Sequence, residues 1–121
     1  MNETTVNILQ ENFSVLPQEI RNIIVDQATR EKIRSIGQKY AVSTEQILSI
    51  QDEVFFILFG IEPLSSFRTN IVEKAGVTYD QALKIAYDLN SLVFKPITET
   101  LKEMGEGLSI GGDEEAMPDF S

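Results

Sequence analysis

The groups available for chemistry in this chain are carboxylates, hydroxyls, amides and amines, because it contains neither histidine nor cysteine. Without histidine, the Ser–His–acid and Cys–His arrangements cannot be built, and the commonest general base is missing. Zinc sites made of His and Cys are excluded with them, as are disulfides. Carboxylates remain. Glu45, Ser49, Asp52 and Glu53 fall roughly along one strip of a helix, and Glu99, Glu103 and Glu106 recur at spacings of four and three. Such strips could hold a hard cation, but they lack the alternating acids and the glycine of a calcium loop. A solvated helix face accounts for them. Gly105, Gly107, Gly111 and Gly112 are not followed by the Lys-Ser/Thr of a phosphate cradle. Tyr40, Tyr79 and Tyr87 sit at helical spacing and read as packing residues rather than a ligand box. The expectation is a non-enzymatic protein with no catalytic residue, no metal and no cofactor.

The elements that would carry these residues are helical. Residues 1–16 contain Val6, Ile8, Leu9, Phe13, Val15 and Leu16, enough to dock on something but too irregular to assign. Pro17 suits the first turn of a helix, where its missing N–H is not needed. Ile20, Ile23, Ile24 and Gln27/Ala28 then follow the i, i+3, i+4 pattern of one buried face. Thr29 is a candidate cap for a second helix striped by Ile33, Ile36 and Tyr40. Ser43-Thr44-Glu45-Gln46 and Thr78-Tyr79-Asp80-Gln81 both read as capping boxes, in which hydroxyl and glutamine satisfy each other's backbone amides. The first opens a helix from about Thr44 to Phe59, stopped at Gly60 with Pro63 beyond. A further helix follows Ser65 or Ser66 and runs to about Ala75, stopped at Gly76. The last begins after Thr78 and is ended or kinked by Pro96 before Ile97, Leu101 and Met104. No segment alternates as a strand would, so the expected class is all-α: a compact bundle of five to six helices with two tandem helix–turn–helix-like units.

Sliding the chain against itself by 35 positions shows why two units are expected. Ile36 falls on Ile71, Lys39 on Lys74, Gln46 on Gln81, Leu48 on Leu83, Ile50 on Ile85 and Phe59 on Phe94. Glu53 and Asp88, Ile57 and Leu92, and Leu58 and Val93 are similar pairs. The expected units span about 32–61 and 67–96. Their largest difference is Phe55-Phe56 in the first against Asn90-Ser91 in the second. The helix from Thr44 is therefore apolar nearly all round at its C-terminal end and must be surrounded. Two coverings fit. It is the central helix, covered by residues 18–28 and 1–16, or Val54, Phe55, Phe56, Leu58 and Phe59 form an interface with a protein partner or a second copy.

Charge narrows the partners. The net charge of −9 is uneven: residues 17–102 hold eleven acids and ten bases, whereas residues 103–121 add six acids and no base. Nucleic acid and anionic lipid are repelled at long range. Ile71, Ala75, Gly76, Val77, Ala82 and Ile85 do resemble the apolar positions and turn glycine of DNA-binding helix–turn–helix motifs. A recognition helix, however, brings Arg, Lys, Gln or Asn to the bases, and the outward residues expected here are Asp80, Lys84 and Asp88 in one unit and Glu45, Asp52 and Glu53 in the other. A nucleic-acid-binding regulator is therefore the second reading, behind a protein-interaction or self-assembling module. No apolar run approaches the roughly 18 residues of a membrane span, no targeting segment opens the chain, and a cytoplasmic location is expected.

The domain plan is an N-terminal segment (1–16) that is partly docked, a helical domain (17–104) and an acidic tail (105–121). The tail is expected to be disordered, because it is rich in glycine and acid and cannot build a core. It is either only solubilising or a short linear motif, with Met117 and Phe120 as anchors and Asp113, Glu114, Glu115 and Asp119 meeting a basic rim.

From Leu16 to Leu101, and above all in VSTEQILSIQDEV, FGIEP and DLNSLVFKPI, the chain resembles small uncharacterised helical proteins of environmental bacteria. The shared motifs are caps and core positions. The resemblance implies a bacterial origin and transfers no activity and no site.

Overall fold

The computed structural model describes residues 3–107, and among them there are helices, turns and no strand. The expected all-α bundle is the fold observed. Helix α1 spans Glu3–Phe13, α2 Gln18–Val25, α3 Gln27–Lys39, α4 Thr44–Leu58, α5 Phe67–Asn70, α6 Tyr79–Leu89 and α7 Thr98–Gly107. Short turns of other pitch join some of them: 3₁₀ turns at Leu64–Ser66 and Lys95–Ile97, and wider π turns at Ile71–Ala75 and Asn90–Phe94. Helix α7 thus continues past residue 104, where the helical domain was expected to end. The tail motif residues Asp113, Glu114, Glu115, Met117 and Phe120 lie outside the described residues.

Local signals explain most helix ends. Pro17 stands at the start of α2 with extended ψ. The cap of α3 is Asp26, whose carboxylate accepts from the Ala28 amide at 2.9 Å, and not Thr29 as the sequence suggested. Thr29 is buried, and its hydroxyl donates to the Ile23 carbonyl at 2.7 Å, tying α3 to the end of α2. Both expected capping boxes are present, at Ser43/Gln46 and at Thr78/Gln81. Helix α4 ends in a Schellman turn: the Gly60 amide donates to Ile57, the Ile61 amide to Phe56, and Gly60 takes φ +78°.

Two helix–turn–helix-like units, α3–α4 and α5–α6, share one core. Each first helix lies against the other unit's second helix, α3 on α6 and α5 with its π turn on α4. Gly37 permits the close approach of α3 and α4, since a Cβ there would overlap the Ile47 side chain. Phe67 and Phe94 meet edge to face at 5.9 Å, both fully buried in the same core as Ile33, Leu58 and Leu89. Such a pair adds about 0.5–1.5 kcal/mol to what its burial contributes.

The π turns alter the match between the units. In α4 the buried positions are Val54, Ile57 and Leu58; across the second unit they are Leu89, Val93 and Phe94. Ile57 is 2% exposed, while Leu92, its partner at an offset of 35, is 49% exposed. One extra residue in the Asn90–Phe94 π turn moves each later side chain by one position. The same happens earlier, where Ile33 and Ile36 of α3 correspond in burial to Phe67 and Ile71. The pairs Ile57/Leu92, Leu58/Val93 and Phe59/Phe94 read from the sequence are therefore one residue out of step.

Candidate functional site

The turn between the helices of each unit is built twice in the same way. Ala41 and Gly76, 35 residues apart, both take left-handed backbone, with φ +60° and +74°. Gln46 accepts from the Ser43 amide at 2.9 Å with its side-chain oxygen, and its nitrogen donates across to the Gly76 carbonyl at 3.2 Å. Gln81 accepts from the Thr78 amide at 2.9 Å and donates to the Tyr40 carbonyl at 3.1 Å. Each glutamine thus caps its own helix and ties it to the other unit's turn.

The ion pairs are reciprocal too. Lys39 of α3 meets Asp88 of α6 at 3.0 Å, and the Tyr40 hydroxyl donates to the same carboxylate at 2.7 Å. Lys74, 35 residues after Lys39, meets Glu53, 35 residues before Asp88, at 3.6 Å. Hydrogen bonding to Asp88 raises the Lys39 ammonium above its ordinary value. The Glu53 carboxylate was expected on a solvated face. Instead it is 3% exposed, since α5 and its π turn cover that side of α4.

Around Lys74 this second pair widens into a cluster in which Glu53 is buried, Glu62 part-buried and Lys74 about half exposed. Lys74 also meets Glu62 at 3.0 Å, and the Asn70 amide donates to Glu62 at 2.5 Å. Burial pushes the Glu53 carboxyl up to about 7, helped by its hydrogen bond to Glu62 and by that group's charge, with Lys74 opposing. Burial acts upward on Glu62 as well, but hydrogen bonds from Glu53, Lys74 and Asn70 outweigh it and hold Glu62 below the ordinary carboxylate value. Two carboxyls pushed apart are the outline of an acid–base pair. Here Glu53 is sealed within the contact between the units, with one carboxylate oxygen lacking a hydrogen-bond partner. A surface groove of about 410 Å³ is lined by Lys32, Ser35, Lys39 and Asp88 with the apolar Ile36 and Leu92, and the cluster is not part of its lining. The cluster fastens α4 to the second unit.

The expected interface on α4 is largely interior. Val54 and Leu58 are fully buried, and Phe55 is buried beneath the Arg30 guanidinium, 4.9 Å from its ring centre. Phe56 and Phe59 are half-buried, and Phe59 lies 6.3 Å from the ring of Phe13 at the end of α1. Of the two coverings, this is covering by the chain's own helices. Val54, Phe55 and Leu58 cannot touch a partner without unfolding.

Exposed apolar side chains among the described residues include Val15, Val25, Ile61 and Leu92, and a further three form a row on α6. Tyr79, Leu83 and Tyr87 stand at i, i+4 and i+8, and they are 68%, 41% and 55% exposed. The buried face of the same helix is Ala82, Ile85, Ala86 and Leu89. Helical spacing placed the two tyrosines on one face, as the sequence showed, but that face points outward rather than into the core. Asp80 and Lys84 form an ion pair of 3.0 Å beside the stripe. Leu48, at the position of α4 equivalent to Leu83, is 54% exposed as well.

Among the described residues, no group of three or more acidic side chains is placed to hold a metal ion, and no helix is long and apolar enough to cross a membrane. Comparison of the chain with known families, with curated proteins and with solved structures finds no match.

Proposed function

We propose that the chain is a non-catalytic helical module that works by binding protein, either another protein or a second copy of itself, in a bacterial cytoplasm. The observation that carries this reading is the α6 stripe of Tyr79, Leu83 and Tyr87. Tyrosine is favoured at interfaces because it offers large apolar area with a polar tip. Two tyrosines and a leucine along two turns of one helix present an anchor row of the kind that helix-mediated contacts use. The test is affinity purification from the native host with the natural chain and with a Y79S/Y87S variant as bait. Loss of the co-purifying protein in the variant is expected; retention of every partner would sink the reading.

Nucleic-acid binding draws on the helix–turn–helix outline alone. The outer face of α6 offers two tyrosines, a leucine and a self-neutralised Asp80–Lys84 pair, where phosphate and base contacts need cationic and amide groups. The matched turns, capping glutamines and crossed ion pairs support a further proposal, that the two units descend from one duplicated helix–turn–helix.

A further inference from the structure

We infer that the α6 stripe pairs with the same stripe on a second copy of this chain, the two α6 helices running antiparallel about Leu83. This rests on the protein-binding reading above and names its partner. The stripe reads the same in both directions: tyrosine, three residues, leucine, three residues, tyrosine. In a two-fold contact residue i touches j and j touches i in return, and a stripe symmetric about Leu83 meets this with tyrosine on tyrosine and leucine on leucine. With the axis at Leu83, Tyr79 of one copy meets Tyr87 of the other at both ends, and Leu83 meets Leu83 at the middle.

Charge agrees with this occupant. Asp80 and Lys84 lie on the same flank of the stripe and already pair at 3.0 Å. A two-fold axis across the contact brings that flank against itself, so Asp80 of one copy falls within a turn of Lys84 of the other, and no net charge is sealed in. The negative charge of the chain does not oppose the contact strongly, since residues 17–102 are close to neutral. A contact of three side chains per copy is small, so the dimer is expected to be weak and concentration-dependent.

The absence of cysteine in the natural chain allows a direct test. The intact chain is measured by sedimentation and light scattering across a concentration series, beside Leu83→Asp and, as a control at another exposed apolar site, Val25→Asp. The expected result is a mass rising from 13.6 kDa toward twice that value. Leu83→Asp should raise the dissociation constant at least about tenfold, a change of about 1.4 kcal/mol, with unchanged helical circular dichroism, and Val25→Asp should leave it alone. Leu83→Cys, which keeps an apolar side chain, should oxidise to a covalent dimer much faster than Val25→Cys. A mixture of Tyr79→Cys and Tyr87→Cys chains should cross-link to each other more than either does to itself. A monomer at every concentration, a dimer indifferent to Leu83→Asp, or preferred Tyr79→Cys self-linking overturns the inference. If the chain is monomeric but Leu83→Asp still loses a partner in the host purification, the protein-binding reading stands and only self-pairing falls.

Discussion

Gln81 donates to the Tyr40 carbonyl at 3.1 Å while its own side-chain oxygen accepts from the Thr78 amide. Gln46 does the same toward Gly76 and Ser43. A helix cap is normally a local device, but here it also welds two units together. Glutamine is required for this double role, because a carboxylate can accept but has no N–H to donate.

Gln81→Glu and Gln46→Glu separate the two roles. Glutamate keeps the capping box and suits a helix N-terminus, while the inter-unit bond is lost and a carboxylate oxygen is left facing the Tyr40 or Gly76 carbonyl. Each variant is expected to destabilise the fold by about 0.5–1.5 kcal/mol. Gln81→Glu should cost more than Gln46→Glu, since its bond is part-buried and the other exposed. Urea unfolding of the variants and the double variant measures this; a neutral Gln81→Glu would show that the cross-bond carries no weight.

Ala41 and Gly76 occupy matched left-handed positions, one with a Cβ and one without. Left-handed backbone disfavours a Cβ by roughly 1–2 kcal/mol, and the larger unfolded entropy of glycine returns part of that. Ala41→Gly is therefore expected to stabilise by about 0.5–1 kcal/mol, and Gly76→Ala to destabilise by a similar amount. Thermal melts that showed both changes moving stability the same way would refute the shared geometry.

What could be read from the sequence divides along physical lines. The capping boxes and the stops at Gly60 and Gly76 were legible because each is settled by a few adjacent residues. The π turns were not, because no adjacent residue marks the extra one; the Ile71–Ala75 turn is held against α4 instead. Glu53 was misplaced since an acid within an acidic strip reads as solvated, and its partner Lys74 lies 21 residues away. The 35-residue match of Glu53 with Asp88 and Lys39 with Lys74 held the clue, but only if the two units were imagined packed crosswise. Tyr79, Leu83 and Tyr87 share a face by spacing alone. That this face is the outer one follows only when Ala82, Ile85, Ala86 and Leu89 are taken as the inner one.

The cluster around the buried Glu53 makes stability pH-dependent in an unusual sense. Glu53 titrates at about 7 in the fold, against an ordinary value of 4.5 when unfolded. Between those values the folded chain binds more protons than the unfolded one, so stability contributed by this group is full below pH 4.5 and is lost as pH rises through 7. Glu62 acts oppositely: its value is lowered, so its contribution is present above 4.5 and is lost as pH falls below. Lys74 is raised, chiefly by its hydrogen bond to Glu62, and its contribution is lost only above 10.5. Glu53→Gln should therefore flatten the fall in stability between pH 5 and pH 7.5, a fall of about 1–3 kcal/mol in the natural chain. Urea midpoints at three pH values suffice, and an unchanged slope in the variant would place the titration elsewhere.

Phe55 and Phe56 are adjacent in sequence and differ in burial, which separates a covered core from an open interface. Phe55 is buried beneath Arg30, and its ring both fills the core and faces a cation. Phe55→Ala should destabilise by about 3–4 kcal/mol, combining the cavity with the lost cation contact. Phe56, half-buried, has fewer neighbours to lose, and Phe56→Ala should cost about 1–2 kcal/mol. Arg30→Ala alone should cost no more than about 1 kcal/mol, because the guanidinium covers the ring without filling the interior. Denaturant unfolding of the three single variants orders them. If Phe55→Ala unfolds as the natural chain does, α4 is not the central helix, and the row Val54, Phe55, Leu58 returns as a binding surface.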